Sequence, residues 1–201
     1  MLYYIVQMKI IHQIHCKIRN KGKGWVFTPR DFLKIRHFNT INPSLNSLES
    51  RGLIRSLGSG LYDYPIYNED YITLKEPKLE AVIRALEVQL DEKLQFSGAY
   101  ACFLLGLTKL PPDEIKYLSN KRNRNITVRN FKIKISKTLI PATRNKYDKA
   151  TLAIQAIRYI GKAKFKHESL IVILNQLNDK EIKKFKKLTK KIHWIDRMVN
   201  G

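Results

Sequence analysis

Acid is scarce in this chain. Its 201 residues hold 17 Asp and Glu against 38 Lys and Arg, a formal net charge of +21. A field of that sign and size points to a polyanionic partner, either nucleic acid or an anionic membrane. Cysteine is scarcer still, with only Cys16 and Cys102. Two distant thiols exclude a disulfide scaffold and favour a reducing, cytoplasmic setting. No C-x-x-C pair or histidine cluster offers a metal site, and no cofactor is expected. No apolar run approaches the roughly 20 residues of a membrane helix, so no membrane partner is expected. The apolar first eleven residues lack the basic leader and cleavage site of a signal peptide.

The signatures of common enzymes are missing too. There is no P-loop, G-x-S-x-G or H-E-x-x-H. The GKG of Gly22–Gly24 lacks the spacing of a phosphate-binding loop. His12 and His15 stand a turn apart without supporting carboxylates, and read as packing or surface histidines. Cys102 lies in the apolar run AYACFLLGL, where burial raises a thiol's pKa and makes it inert. Asp113 and Glu114 read as an exposed turn. The chain is expected not to be an enzyme.

What is present is uneven. Residues 1–64 carry 10 basic and 3 acidic side chains, residues 65–119 carry 6 and 9, and residues 120–201 carry 22 and 5. Apolar residues make up 44%, enough for a packed core. Apolar periodicity predicts a helix over 3–19, on Ile5, Met8, Ile11, Ile14 and Ile18. Thr28, Pro29 and Asp31 signal the start of a short second helix. NPSLNSLESRG predicts a third, capped by Asn42, with Pro43 first, Leu45 and Leu48 inward and Gly52 ending it. LIRSLGSGLYDY then reads as two short strands around a glycine turn.

Downstream, NEDYITLKEP reads as a polar connector. Lys78–Leu90 predicts an amphipathic helix, Ser97–Leu107 a short apolar one, and PPDEIKYLS a strand. NITVRNFKIKIS alternates as a hairpin. Asp148 caps a helix reaching Gly161, and further helices are predicted over His167–Leu177 and Asp179–Val199. The last is lined by Ile182, Phe185, Leu188, Ile192, Ile195 and Val199. Lys180, Lys183, Lys184, Lys186, Lys187, Lys190 and Lys191 mostly occupy the rest of it.

Three helices followed by a two-stranded corner is the order of a winged helix-turn-helix. The expected fold is α+β: a winged helix-turn-helix over residues 1–73, then a mixed α/β domain over 74–201 ending in lysine-rich helices. In that reading Ser44, Asn46, Ser47, Ser50 and Arg51 face a groove, Asn suiting adenine and Arg guanine. Thr28 and Arg30 hold a phosphate at the second helix, and Arg55 and Ser59 touch phosphate from the wing. Glu49 is the one acid on the third helix. Lys121, Arg122, Arg124 and Arg129, with the last helix, form a candidate second anion surface. A solvated lysine face is the plainer reading of the same residues.

The segments KGKGWVFTPRDFL, LNSLESRGLIRSLGSGLYDYP, SGAYACFLLGL and DEIKYLS, in that order, resemble the AbiEi-like antitoxins of bacterial type IV toxin–antitoxin systems over roughly residues 8–160. The resemblance implies an N-terminal winged helix that binds operator repeats as an autorepressor. It also implies a C-terminal domain that counters a nucleotidyltransferase-like toxin, the cognate partner. An operator with inverted repeats would carry a dimer. Two alternatives stand beside it. One is a winged-helix regulator unconnected to a toxin. The other is a partner-masking protein whose basic C-terminal region binds protein or RNA.

Overall fold

Helix α1, Leu2–Lys21, ends where Gly22 turns the chain with φ 86°. The structure is a computed structural model that describes residues 2–68, 73–139, 147–190 and 192–200. The side chain of Ile5, Lys191 and residues 69–72 of the connector lie outside the described residues. The fold is α+β, as expected. The chain forms two compact units, residues 1–92 with 126–132 and residues 93–125 with 133–201.

In the first unit, α1 leads to strand β1, Val26–Phe27, and a single 3₁₀ turn, Pro29–Phe32. The expected cap is present: Thr28 Oγ1 accepts from Arg30 N at 3.0 Å, and Asp31 Oδ2 accepts from Thr28 N at 2.8 Å. Helix α2, Phe38–Ser50, starts five residues before the expected Pro43, and its cap is His37, not Asn42. The reason is Ile41, fully buried, which extends the apolar stripe of Leu45 and Leu48 back by a turn. Pro43 sits inside the helix, where it forgoes one main-chain bond. At the other end Leu53 N donates to Leu48 O and Gly52 N to Glu49 O, a Schellman closure that needs the positive φ of Gly52.

Strands β2, Arg55–Gly58, and β3, Leu61–Asp63, pair antiparallel, and β1 joins them in the order β1-β3-β2. The turn between them has Ser59 at φ 53° and Gly60 at φ 75°, the two positive angles of a tight primed turn. The connector is partly structured: β4, Tyr67–Asn68, pairs with β5, Thr73–Leu74. Helix α3, Leu79–Leu90, packs its buried Val82, Ile83, Ala85 and Leu86 side toward β1, β3 and the 3₁₀ turn. The first unit therefore runs to Glu92 and not to the expected residue 73, because α3 covers the small sheet.

The core of this unit joins Ile14 and Ile18 of α1 with Phe27, Phe32, Ile41, Leu45 and Leu48. Phe27 and Phe32 meet edge to face at 5.5 Å, and Tyr62 stacks on Phe27 at 6.1 Å. Burying each such side chain contributes about 1.5–3 kcal/mol.

In the second unit β6, Gln95–Phe96, pairs with β7, Lys116–Ser119, which runs parallel to β9, Phe131–Lys137. The sheet order is β6-β7-β9-β8, where β8 is Arg124–Val128 and its residues 126–128 belong to the first unit. Helix α4, Gly98–Leu104, lies against α5, Lys149–Ile160. Helix α6, His167–Asn175, follows. The long last helix expected over Asp179–Val199 is two helices, α7, Asp179–Thr189, and α8, His193–Asn200. The fully buried Thr189 ends α7: its hydroxyl lies 2.8 Å from Lys186 O and 3.1 Å from Asp196 Oδ1. Among the described residues no helix is long and apolar enough to cross a membrane.

Candidate nucleic-acid interface

The nine residues expected to meet a duplex separate into two groups. Asn46, Ser50 and Arg51 are exposed on the last turns of α2, with Ser47 half-buried between them. Ser50 Oγ donates to Ser47 O at 3.0 Å. Arg30 is exposed beside the 3₁₀ turn. These five side chains lie at or near the surface.

The other four are committed to the protein itself. Ser44 is fully buried, contrary to the expectation that it faces outward. It falls in the stripe of Ile41, Leu45 and Leu48, and its hydroxyl donates back to Thr40 O at 2.8 Å and accepts from Gln7 Nε2 at 3.3 Å. Thr28 is fully buried and spent on its cap. Arg55 is not turned to solvent: it grips the buried Asp63 with two bonds, 2.6 and 3.1 Å, and donates to Lys75 O at 2.8 Å. Ser59 Oγ donates to Thr127 O at 2.8 Å, and Ser59 O accepts from Gln89 Nε2 at 2.6 Å. The turn of β2–β3 is thus tied down rather than free at its tip. Arg129 N adds a bond to Leu57 O at 3.2 Å.

Of the four residues expected to form a second anion surface, Arg129 is spent on an ion pair. Arg129 belongs to the first unit and holds Glu76 with two nitrogens, the closest pair at 2.8 Å. That pairing is the main reason the Glu76 carboxyl lies below its ordinary range. Lys121, Arg122 and Arg124 belong to the second unit; the first two are exposed and Arg124 is half-buried.

The structure adds cations that the spacing did not single out. His15 is held below its ordinary pKa first by burial, then by Arg19, Arg51 and His12. Three positive or titratable groups therefore crowd it, from α1 and from the end of α2. Their signal in the sequence was the 12, 15, 19 spacing, one face of α1. Burial, then the Glu49 carboxylate, push the Tyr62 phenol above its ordinary value. The one acid of α2 thus lies near Tyr62, on the sheet. Asp31 serves the cap and Asp63 the Arg55 pair, so the acids of residues 1–64 are turned to local uses.

A cleft of about 240 Å³ in the same unit is lined by Lys23, Asp63, Lys75, Glu76 and Lys78, among others. Both its carboxylates are already paired with arginines. Among the described residues no group of three or more His, Cys, Asp or Glu is placed to hold a metal ion.

The chain belongs to a family of unknown function, DUF6088, whose pattern covers residues 13–193. No curated protein matches it.

Proposed function

We propose that the chain is a DNA-binding antitoxin similar to the AbiEi-like proteins, an autorepressor that also counters a nucleotidyltransferase-like toxin. The observation that carries the DNA-binding half is the exposed strip of Asn46, Ser50 and Arg51 at the end of α2, with His15 of α1 within electrostatic reach of both Arg19 and Arg51 and the Glu49 carboxylate near Tyr62. Hydrogen-bonding and cationic groups without a competing acid suit base edges and phosphates. The order of helix, strand, short helix, helix and hairpin, with β1 at the base of the hairpin, supports a winged helix-turn-helix. In this reading α2 enters the groove, and Arg51 and Arg19 hold the backbone. Arg55 and Ser59 act indirectly, by fixing the hairpin.

The antitoxin half rests on the resemblance of the four sequence segments. Gel-shift titration of the chain on its own promoter should give salt-sensitive binding that weakens when Asn46 and Arg51 are both replaced by Ala. Full-strength binding by that folded variant removes α2 as the reading helix. Co-expression with the product of an adjacent nucleotidyltransferase-like gene should restore growth; continued arrest would leave a repressor without antitoxin activity.

A further inference from the structure

Helix α7 has the sequence DKEIKKFKKLT, followed by Lys190. Phe185 and Thr189 are fully buried, on the side of α7 that packs on α5. Lys180, Lys183, Lys187 and Lys190 recur at steps of three, four and three, and all are exposed. Lys190 keeps helical angles, φ −51° and ψ −24°, so the stripe continues past the last helical residue. It spans eleven residues, about 15 Å along the axis.

Among the described residues no carboxylate forms an ion pair with it. The Glu181 carboxylate is used in the cap, accepting from Asn178 N at 3.0 Å. Asp179 sits in the first turn, at the positive end of the helix. The one ion pair of α7 among the described residues joins Lys184, off the stripe, to Asp148 at 2.8 Å. Lysines three and four apart on one face repel one another and weaken the helix. A polyanion laid along them removes that repulsion.

We propose that this stripe binds the phosphate backbone of a nucleic acid without reading sequence. Three partners can neutralise lysines, and the surroundings separate them. A protein partner is anchored by aromatic and arginine side chains, with lysine depleted; the stripe has four lysines and no aromatic residue. An anionic membrane needs an apolar helix face to insert; the apolar side of α7 carries the buried Phe185 and packs on α5. A nucleic-acid backbone needs only a row of point charges, and presents a phosphate about every 3.4 Å along each strand. This surface lies in the second unit and does not depend on the reading of α2 as a groove-binding helix.

The test uses the full chain and a fluorescent duplex of arbitrary sequence. Its dissociation constant is followed by anisotropy over a salt series. Replacing Lys180, Lys183, Lys187 and Lys190 with Gln should flatten the slope of log affinity against log salt by about 3 to 4. Replacing the same four with Arg should keep the slope. Circular dichroism identifies any Gln variant that has lost its helices. An unchanged slope in a folded Gln variant overturns the proposal. So does stripe-dependent binding confined to polyglutamate or to phosphatidylserine vesicles, or absence of duplex binding by the parent chain. The Asn46→Ala, Arg51→Ala chain run in parallel separates the two surfaces. Loss of promoter preference there, with the lysine-dependent slope intact, supports both readings, and retained preference with that slope intact removes only the first.

Discussion

Arg55 and Asp63 stand opposite one another in the β2–β3 pair, with Arg55 Nη2 2.6 Å from Asp63 Oδ2 and Nε 3.1 Å from Oδ1. Asp63 is 2% exposed, and its carboxylate is paired with this guanidinium. Removing one partner of a buried pair leaves the other uncompensated, at a cost of about 3–5 kcal/mol. Arg55→Ala should therefore shift the urea midpoint strongly downward. Arg55→Lys should recover only part of the loss, since an ammonium cannot make the two parallel bonds. A phosphate-binding Arg55 would behave otherwise: its Ala variant would be as stable as the parent and weak only in binding.

Ser44 and Asn46, two residues apart on α2, should respond in opposite ways. Ser44→Ala deletes a buried hydroxyl with two partners, Thr40 O and Gln7 Nε2, and should cost about 1 kcal/mol. Asn46→Ala is an exposed change and should stay within about 0.5 kcal/mol. Promoter affinity should move the other way, falling for Asn46→Ala and holding for Ser44→Ala. Paired denaturation and gel-shift titrations on both variants decide it.

This pair also shows how far the sequence could be read. The buried positions Leu45 and Leu48 were legible from spacing alone, as were the Thr28–Asp31 cap and the glycine turn. Ser44 was not, because Pro43 looked like a first helical residue. Starting the helix there hid Ile41, the residue that puts Ser44 inside the stripe. Arg55 and Ser59 failed for a different reason. Their partners Lys75, Gln89 and Thr127 lie 20, 30 and 68 residues away, and no local pattern signals such contacts. The break between α7 and α8 was hidden by an apolar spacing that continues across it, although Thr189 and Asp196 close it through side-chain bonds.

Gly98 lets α4 pack tightly on α5. A Cβ built there would lie 2.2 Å from Tyr159 Cβ and 2.5 Å from Gln155 O. Neither can swing away as a flexible tip can. Gly98→Ala should force the two helices apart and destabilise the second unit by at least the 1–3 kcal/mol or so of ordinary overpacking. Adding Tyr159→Gly should restore only part, because the Gln155 carbonyl still blocks the site. Thermal melts of the single and double variants test this; a Gly98→Ala chain with the parent midpoint would contradict the packing.

The two thiols should differ in reactivity. Burial pushes the Cys102 thiol up to about 11, and it is 2% exposed. Cys16 is half-buried, its sulfur 3.4 Å from His12 Nε2. Iodoacetamide at about pH 8, below the ordinary thiol value, should modify Cys16 alone in the native chain. Both should react after denaturation. Mass spectrometry of the two digests reads the result, and native labelling of Cys102 at the rate of Cys16 would refute it.

Asp148 caps α5 by accepting from Thr151 N at 2.9 Å, and its other oxygen accepts from Lys184 Nζ at 2.8 Å. Burial alone would raise its pKa. The bonds from Lys184 and Thr151 outweigh that and hold it below the ordinary carboxylate range. A carboxyl with a depressed folded pKa binds its proton more readily in the unfolded chain. Its contribution to stability is therefore complete above the unfolded value of about 3.9 and disappears as pH falls through the folded one. Asp148→Asn keeps a capping oxygen but loses the ion pair. At neutral pH the variant should be less stable than the parent, and the two urea midpoints should converge below about pH 4. Lys184→Ala should show the same convergence, since it removes the same charge pair from the other side. A gap between parent and Asp148→Asn that persists unchanged into strong acid would mean that the carboxylate acts through shape alone.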